Sequence, residues 1–114
     1  MPFDGNTIKL TQTGKELISM YEKALEKIST PETWTKGHSH FDGKFCAMEA
    51  LCRTEDLNCL RGVAYQTVNW LANKRGFNTL VTFNDFPKTT YEDVIALFHE
   101  AIEIAKDEFS VMER

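Results

Sequence analysis

The chain has 114 residues, 42% of them apolar and with eight Phe, two Trp and three Tyr, which is material for one hydrophobic core and no second domain. Thirteen basic against seventeen acidic side chains give a formal charge of -4, the opposite of the footprint of a domain that grips phosphate backbones, so nucleic acid is set aside as a partner. The longest unbroken apolar run, Val94 to Phe98, is five residues against the roughly 20 that span a bilayer, so no membrane segment is expected; Met1-Pro2-Phe3-Asp4-Gly5-Asn6 also lacks the basic start and apolar centre of an export signal.

The chain thus reads as one domain over residues 1–114, with residues 1–12 an extended arm because Asn6 to Gln12 alternate polar and apolar side chains. Thr13 and Glu16 stand at capping-box spacing, and Leu17, Ile18, Tyr21, Ala24, Leu25 and Ile28 follow as an apolar stripe, which predicts a first helix over about 14–29. Pro31 ends it by disfavouring helical backbone in its predecessor.

Periodicity disappears from Glu32 to Phe45. Asp42-Gly43 is a turn dipeptide that could fold Thr35 to Phe41 against Lys44 to Cys46 as a small hairpin. A short helix is predicted over about 46–53 and a longer one over about 56–74, ending before Gly76, with Leu57, Leu60, Ala64, Val68 and Leu71 facing inward and Gly62 a weak point. Arg53, Arg61, Lys74 and Arg75 lie among acids such as Glu55 and Asp56 and read as a solvated face. Residues 77–83, rich in aromatic and β-branched types, read as extended, and Asn84-Asp85-Phe86-Pro87 as a turn. Thr90 with Asp93 then opens a last helix over about 90–109, whose acidic first turn suits the helix dipole. The fold class is mainly α, or α+β if the hairpin forms: about four helices, with a small irregular or β-hairpin element between the first and second.

Trp34-x-x-Gly37, then Asp42-Gly43-Lys44-Phe45-Cys46-Ala47-Met48-Glu49-Ala50-Leu51, then Phe83-Asn84-Asp85 before a final helix ending Ala101-Ile102-Glu103-Ile104-Ala105, together resemble a family of small uncharacterised bacterial and phage proteins. The likeness spans about residues 13–106. It implies this layout and carries no activity with it. Glu49 departs from the pattern, which has a small residue there.

Cys46 is the first candidate site residue, because a thiol opening a helix lies in the positive end of the dipole, where its thiolate is favoured. His38 or His40 would serve as base and Asn84 or Asp85 as orienter in a cysteine hydrolase or acyl-transfer site; a structural thiol is the simpler assignment. His38 and His40, two apart, could share a metal with Asp42 or Cys46, although no second pair at ligand spacing completes such a site. His99 on the last helix reads as a boundary residue, Asn84-Asp85 as a turn fastener, and Trp34 and Trp70 as core or domain-edge residues. Cys46, Cys52 and Cys59 are odd in number and form no C-x-x-C motif, which suits reduced thiols in a cytoplasm. No cofactor is implied. The pattern favours a non-enzymatic module acting through a protein partner, with the Cys46 enzyme as the alternative.

Overall fold

The computed structural model describes residues 7–37, 40, 41, 43–52 and 61–113. Strand β1 (Thr7–Leu10) leads into helix α1 (Gln12–Lys27), and a 3-10 turn (Pro31–Thr33) precedes strands β2 (His40–Phe41) and β3 (Lys44–Phe45). Helices α2 (Ala47–Cys52), α3 (Arg61–Lys74), α4 (Leu80–Asp85) and α5 (Tyr91–Glu108) follow, and strand β4 (Ser110–Glu113) closes the order. The molecule is mainly α, as the periodicities predict.

The core is one cluster in which α1 packs chiefly on α5 and α2, and α3 on α5. Leu17, Met20, Tyr21 and Ala24 of α1 meet Val94, Leu97, Phe98 and Ala101 of α5 in it, and Ala64, Val68 and Leu71 close it from α3. Tyr21 and Phe98 stack at a tilt with ring centroids 6.4 Å apart. The Tyr21 hydroxyl crosses to α3 and donates to the Ala64 carbonyl at 3.0 Å. Burial pushes its pKa up to about 12, with the charge of Glu108 acting in the same direction and a hydrogen bond with Thr67 opposing it.

Several boundaries differ from expectation for local reasons. α1 starts at Gln12, because Thr11 is the N-cap: its hydroxyl accepts from the Gly14 N–H, and its own N–H and O–H both donate to the Phe109 carbonyl at 2.8 Å. That double bond to the end of α5 fastens the two helices where β1 and β4 pair antiparallel, from Thr7 opposite Glu113 to Leu10 opposite Ser110. The alternating arm is therefore a strand with a C-terminal partner, and α5 stops at Glu108. The hairpin forms in reduced size, with only His40–Phe45 and Phe41–Lys44 in register and Gly43 turning at φ 78°. The expected start of α3 lies within residues 53–60, outside the described residues. Its end is legible: Gly76 at φ 94° donates to the Asn73 carbonyl and Phe77 to that of Ala72, the paired bonds of a Schellman stop.

The main correction concerns residues 77–83, which are not extended. Thr79 caps α4, a helix beyond the four expected, its hydroxyl accepting from the Thr82 N–H while Thr82 accepts from the Thr79 N–H. Asn69 Oδ1 takes the Leu80 N–H at 2.7 Å. Three of the donors that a helix start leaves unpaired are thus satisfied, and this outweighs the β-branched composition of the segment. Asn84 and Asp85 accordingly end α4, and the turn comes after them, closed by the Thr89 N–H on the Phe86 carbonyl at 3.0 Å.

Candidate functional site

Three of the sequence candidates converge on one junction. Asn84, fully buried at the end of α4, accepts from Trp34 Nε1 at 2.6 Å and from the Ala47 N–H at 3.0 Å through its one side-chain oxygen. Its Nδ2 donates to the Thr35 carbonyl at 3.0 Å and to Asp85 Oδ1 at 2.9 Å. Two lone pairs and two N–H groups are all that a primary amide offers, and here all four are used. Asp85 Oδ1 also accepts from the Gly37 N–H at 2.9 Å, and Lys36 Nζ donates to the carbonyls of Phe86 and Pro87 at 2.6 and 3.1 Å. The segment Trp34 to Gly37 is thereby fixed to α4 and to the start of α2. Trp34 also packs against Tyr91, ring centroids 6.1 Å apart.

Cys46 immediately precedes α2 in the same junction and is 3% exposed. Its sulfur accepts from the Glu49 N–H at 3.4 Å, and its carbonyl accepts from the Ala50 N–H at 2.9 Å, so it serves as the helix cap. Burial pushes the thiol pKa up; the Glu49 and Met48 N–H groups pull it down, as a helix start should, and the carboxylates of Asp85 and Glu49 push it up again. Desolvation outweighs the helix amides, so the net shift opposes activation of a nucleophile. Among the candidate partners, His38 and Asp42 lie outside the described residues, and of His40 only the strand backbone is described. Among the described residues no group of three or more His, Cys, Asp or Glu could hold a metal ion. His99 is exposed on α5, and Cys46 is a free thiol.

Two surface clefts are lined by other side chains, the second of them bordering this junction at Phe86. Val63, Gln66, Thr67 and Trp70 stand at i, i+3, i+4 and i+7 on α3, and with Ile104 and Glu108 of α5 they line a groove of about 300 Å³. Trp70 is 52% exposed, which excludes the core placement among its two expected ones and leaves the edge, and Lys74 Nζ lies 4.7 Å from its ring centroid. Nothing in the mixed polarity of that stripe singled it out.

The second cleft, of about 280 Å³, is walled by Phe77, Phe83 and Phe86. Phe77 meets Phe83 and Phe86 edge-on, with centroids 5.4 and 5.1 Å apart. Phe86 is 43% exposed. Arg75 lies over Phe83 with its guanidinium carbon 5.9 Å from the ring centroid, held by bonds to the Leu71 carbonyl and to Glu100. Lys88, Thr89 and Asp93 complete the lining. The Phe-x-x-Phe spacing from 83 to 86 was available as a signal; the placement of Phe77 beside it depends on the Gly76 turn.

No helix of the described residues is long and apolar enough to cross a membrane. No curated protein and no solved structure matches the chain. Residues 12–104, the span from the first helix almost to the end of the last, match the family of unknown function DUF6197, and the chain belongs to that family.

Proposed function

We propose that this protein is a non-enzymatic interaction module that takes an amphipathic helix of a protein partner into the groove between α3 and α5. The observation that carries this reading is Trp70, the most exposed large apolar side chain among the described residues, standing 52% open beside that groove. Tryptophan in a partly formed slot is a frequent anchor of protein interfaces, because its area is large and only two torsions need be fixed on binding. The trough takes apolar surface from Val63, Trp70 and Ile104 and polar surface from Gln66, Thr67 and Glu108, with the Lys74 ammonium beside the Trp70 ring. A third helix fills such a trough with side chains at i, i+3, i+4 and i+7. The polar side chains then exclude water from the contact.

The test is photo-crosslinking in cells that express the chain, with a benzophenone amino acid at Gln66 and, as control, at exposed Glu22 on α1. The expected result is one discrete protein adduct from position 66, absent from position 22 and lost on Trp70→Ala. Absence of an adduct at 66, or adducts at both positions that ignore Trp70, would remove this function.

The cysteine-dependent alternative meets a buried thiol whose pKa is raised. With Cys52 and Cys59 changed to Ser, Cys46 should resist iodoacetamide until the protein unfolds. Rapid alkylation with an apparent pKa well below about 8.5 would instead restore the enzyme.

A further inference from the structure

The cleft walled by Phe77, Phe83 and Phe86 combines features that no structural role in the fold uses up. Thr89 lines it at 5% exposure, and its hydroxyl forms no hydrogen bond with a described residue, although buried hydroxyls are normally partnered. Lys88, at the cleft's rim, forms no ion pair with a described residue. The other charges facing the cleft are already engaged: Arg75 by Glu100 at 2.9 Å, and Asp93 by the Thr90 N–H at 2.9 Å as the cap of α5. Lys36 adds a second ammonium nearby, bonded to the Phe86 and Pro87 carbonyls. The cleft therefore offers aromatic walls, one uncommitted cation and one uncommitted hydroxyl, on a chain whose net charge is -4. At about 280 Å³ it has room for one small ring system and not for an extended chain.

The geometry points to a binding site for a small planar aromatic carboxylate, its ring against Phe77 and Phe86 and its carboxylate held by Lys88 and the Thr89 hydroxyl. An aromatic ring suits walls that already meet edge to face, since a further ring extends the same arrangement. A carboxylate suits an ammonium and an O–H donor together, because it only accepts. This site lies apart from the Trp70 groove, so either can fail alone.

The test is a ¹H–¹⁵N NMR titration of the full chain with 2-naphthoate and with its neutral counterpart 2-naphthamide. The proposal expects saturable shifts confined to the amides around Phe77, Phe86 and Thr89, with the acid binding about fivefold or more tighter than the amide. Lys88→Gln, an exposed change that leaves the fold intact, should erase the preference for the acid, and Thr89→Val should weaken the acid while preserving the spectrum of the free protein. Absence of saturable shifts at these amides, equal binding of acid and amide, or an unchanged preference in Lys88→Gln would each overturn it.

Discussion

The two tryptophans of this chain have opposite surroundings, and the contrast separates what holds the fold from what the fold leaves available. Trp34 gives its indole N–H to a fully buried amide and lies against Tyr91. Trp70 has a ring half open to solvent, a lysine ammonium over one face and a groove at its side. Both are single large side chains in a mainly helical molecule. The difference is that the amide beside Trp34 has all four of its hydrogen-bonding positions filled, whereas the Trp70 ring is half open to solvent.

If the Trp34 junction is the fastener, its amide should be the least replaceable side chain. Asn84→Asp keeps the size but removes both donors, and it places a carboxylate against the Thr35 carbonyl and the Asp85 carboxylate. A loss of about 4 kcal/mol is expected from an unpaired buried charge, read as a lower urea midpoint at pH 7. A loss below about 1 kcal/mol would break the four-bond account.

A second effect arises in the core beneath both regions. The phenol of Tyr21 has a folded pKa of about 12, raised from about 10 by burial. For an acid whose folded pKa is raised, the stabilisation is complete below the unfolded pKa and is lost as pH rises through the folded value, because only the unfolded chain ionises freely in between. Tyr21 should therefore remove about 2–3 kcal/mol between about pH 10 and about pH 12. The raised thiol of Cys46 acts with the same sign, starting from its lower ordinary value. Tyr21→Phe, which loses the bond to the Ala64 carbonyl, should be less stable by about 1 kcal/mol at pH 7. It should overtake the parent protein above about pH 11. Parallel urea curves at every pH would mean that the phenol is not shielded.

Trp34→Phe is the next smaller change. It keeps most of the ring and removes only the donor to Asn84 Oδ1, which retains the Ala47 N–H. About 1–2 kcal/mol should be lost, visible in the same denaturation curves.

Much of the fold was readable because its signals are local. Thr90 and Asp93 cap α5 reciprocally, as their spacing announces, and Gly76 stops α3 by taking the left-handed backbone that glycine permits. Other features depend on contacts far apart in sequence. The choice of helix over strand at Leu80 rests partly on Asn69, eleven residues earlier, and β1 finds its partner about a hundred residues away. At Cys46 the helix-end amides were legible, and they do lower the thiol pKa. The burial that outweighs them comes from neighbours assembled by the tertiary fold. Asn84-Asp85 was legible as a hydrogen-bonding pair, but its partners at positions 34, 35, 37 and 47 were not.

The smallest stability effect belongs to Trp70, and there smallness is the informative result. A side chain that is 52% exposed, with the Lys74 ammonium 4.7 Å from its ring centroid, keeps only part of its area from water, so Trp70→Ala should change stability by no more than about 1 kcal/mol. Fluorescence separates the two residues directly: with Trp34→Phe the remaining emission should be readily quenched by acrylamide, and with Trp70→Phe it should be shielded. A loss above about 1.5 kcal/mol in Trp70→Ala would show that the ring braces α3, and the groove would then lose its claim to be a surface held ready for a partner. A near-zero change combined with easy quenching leaves a large aromatic side chain that the fold does not need for stability, which is the condition under which its contribution to binding can be measured without a folding defect in the way.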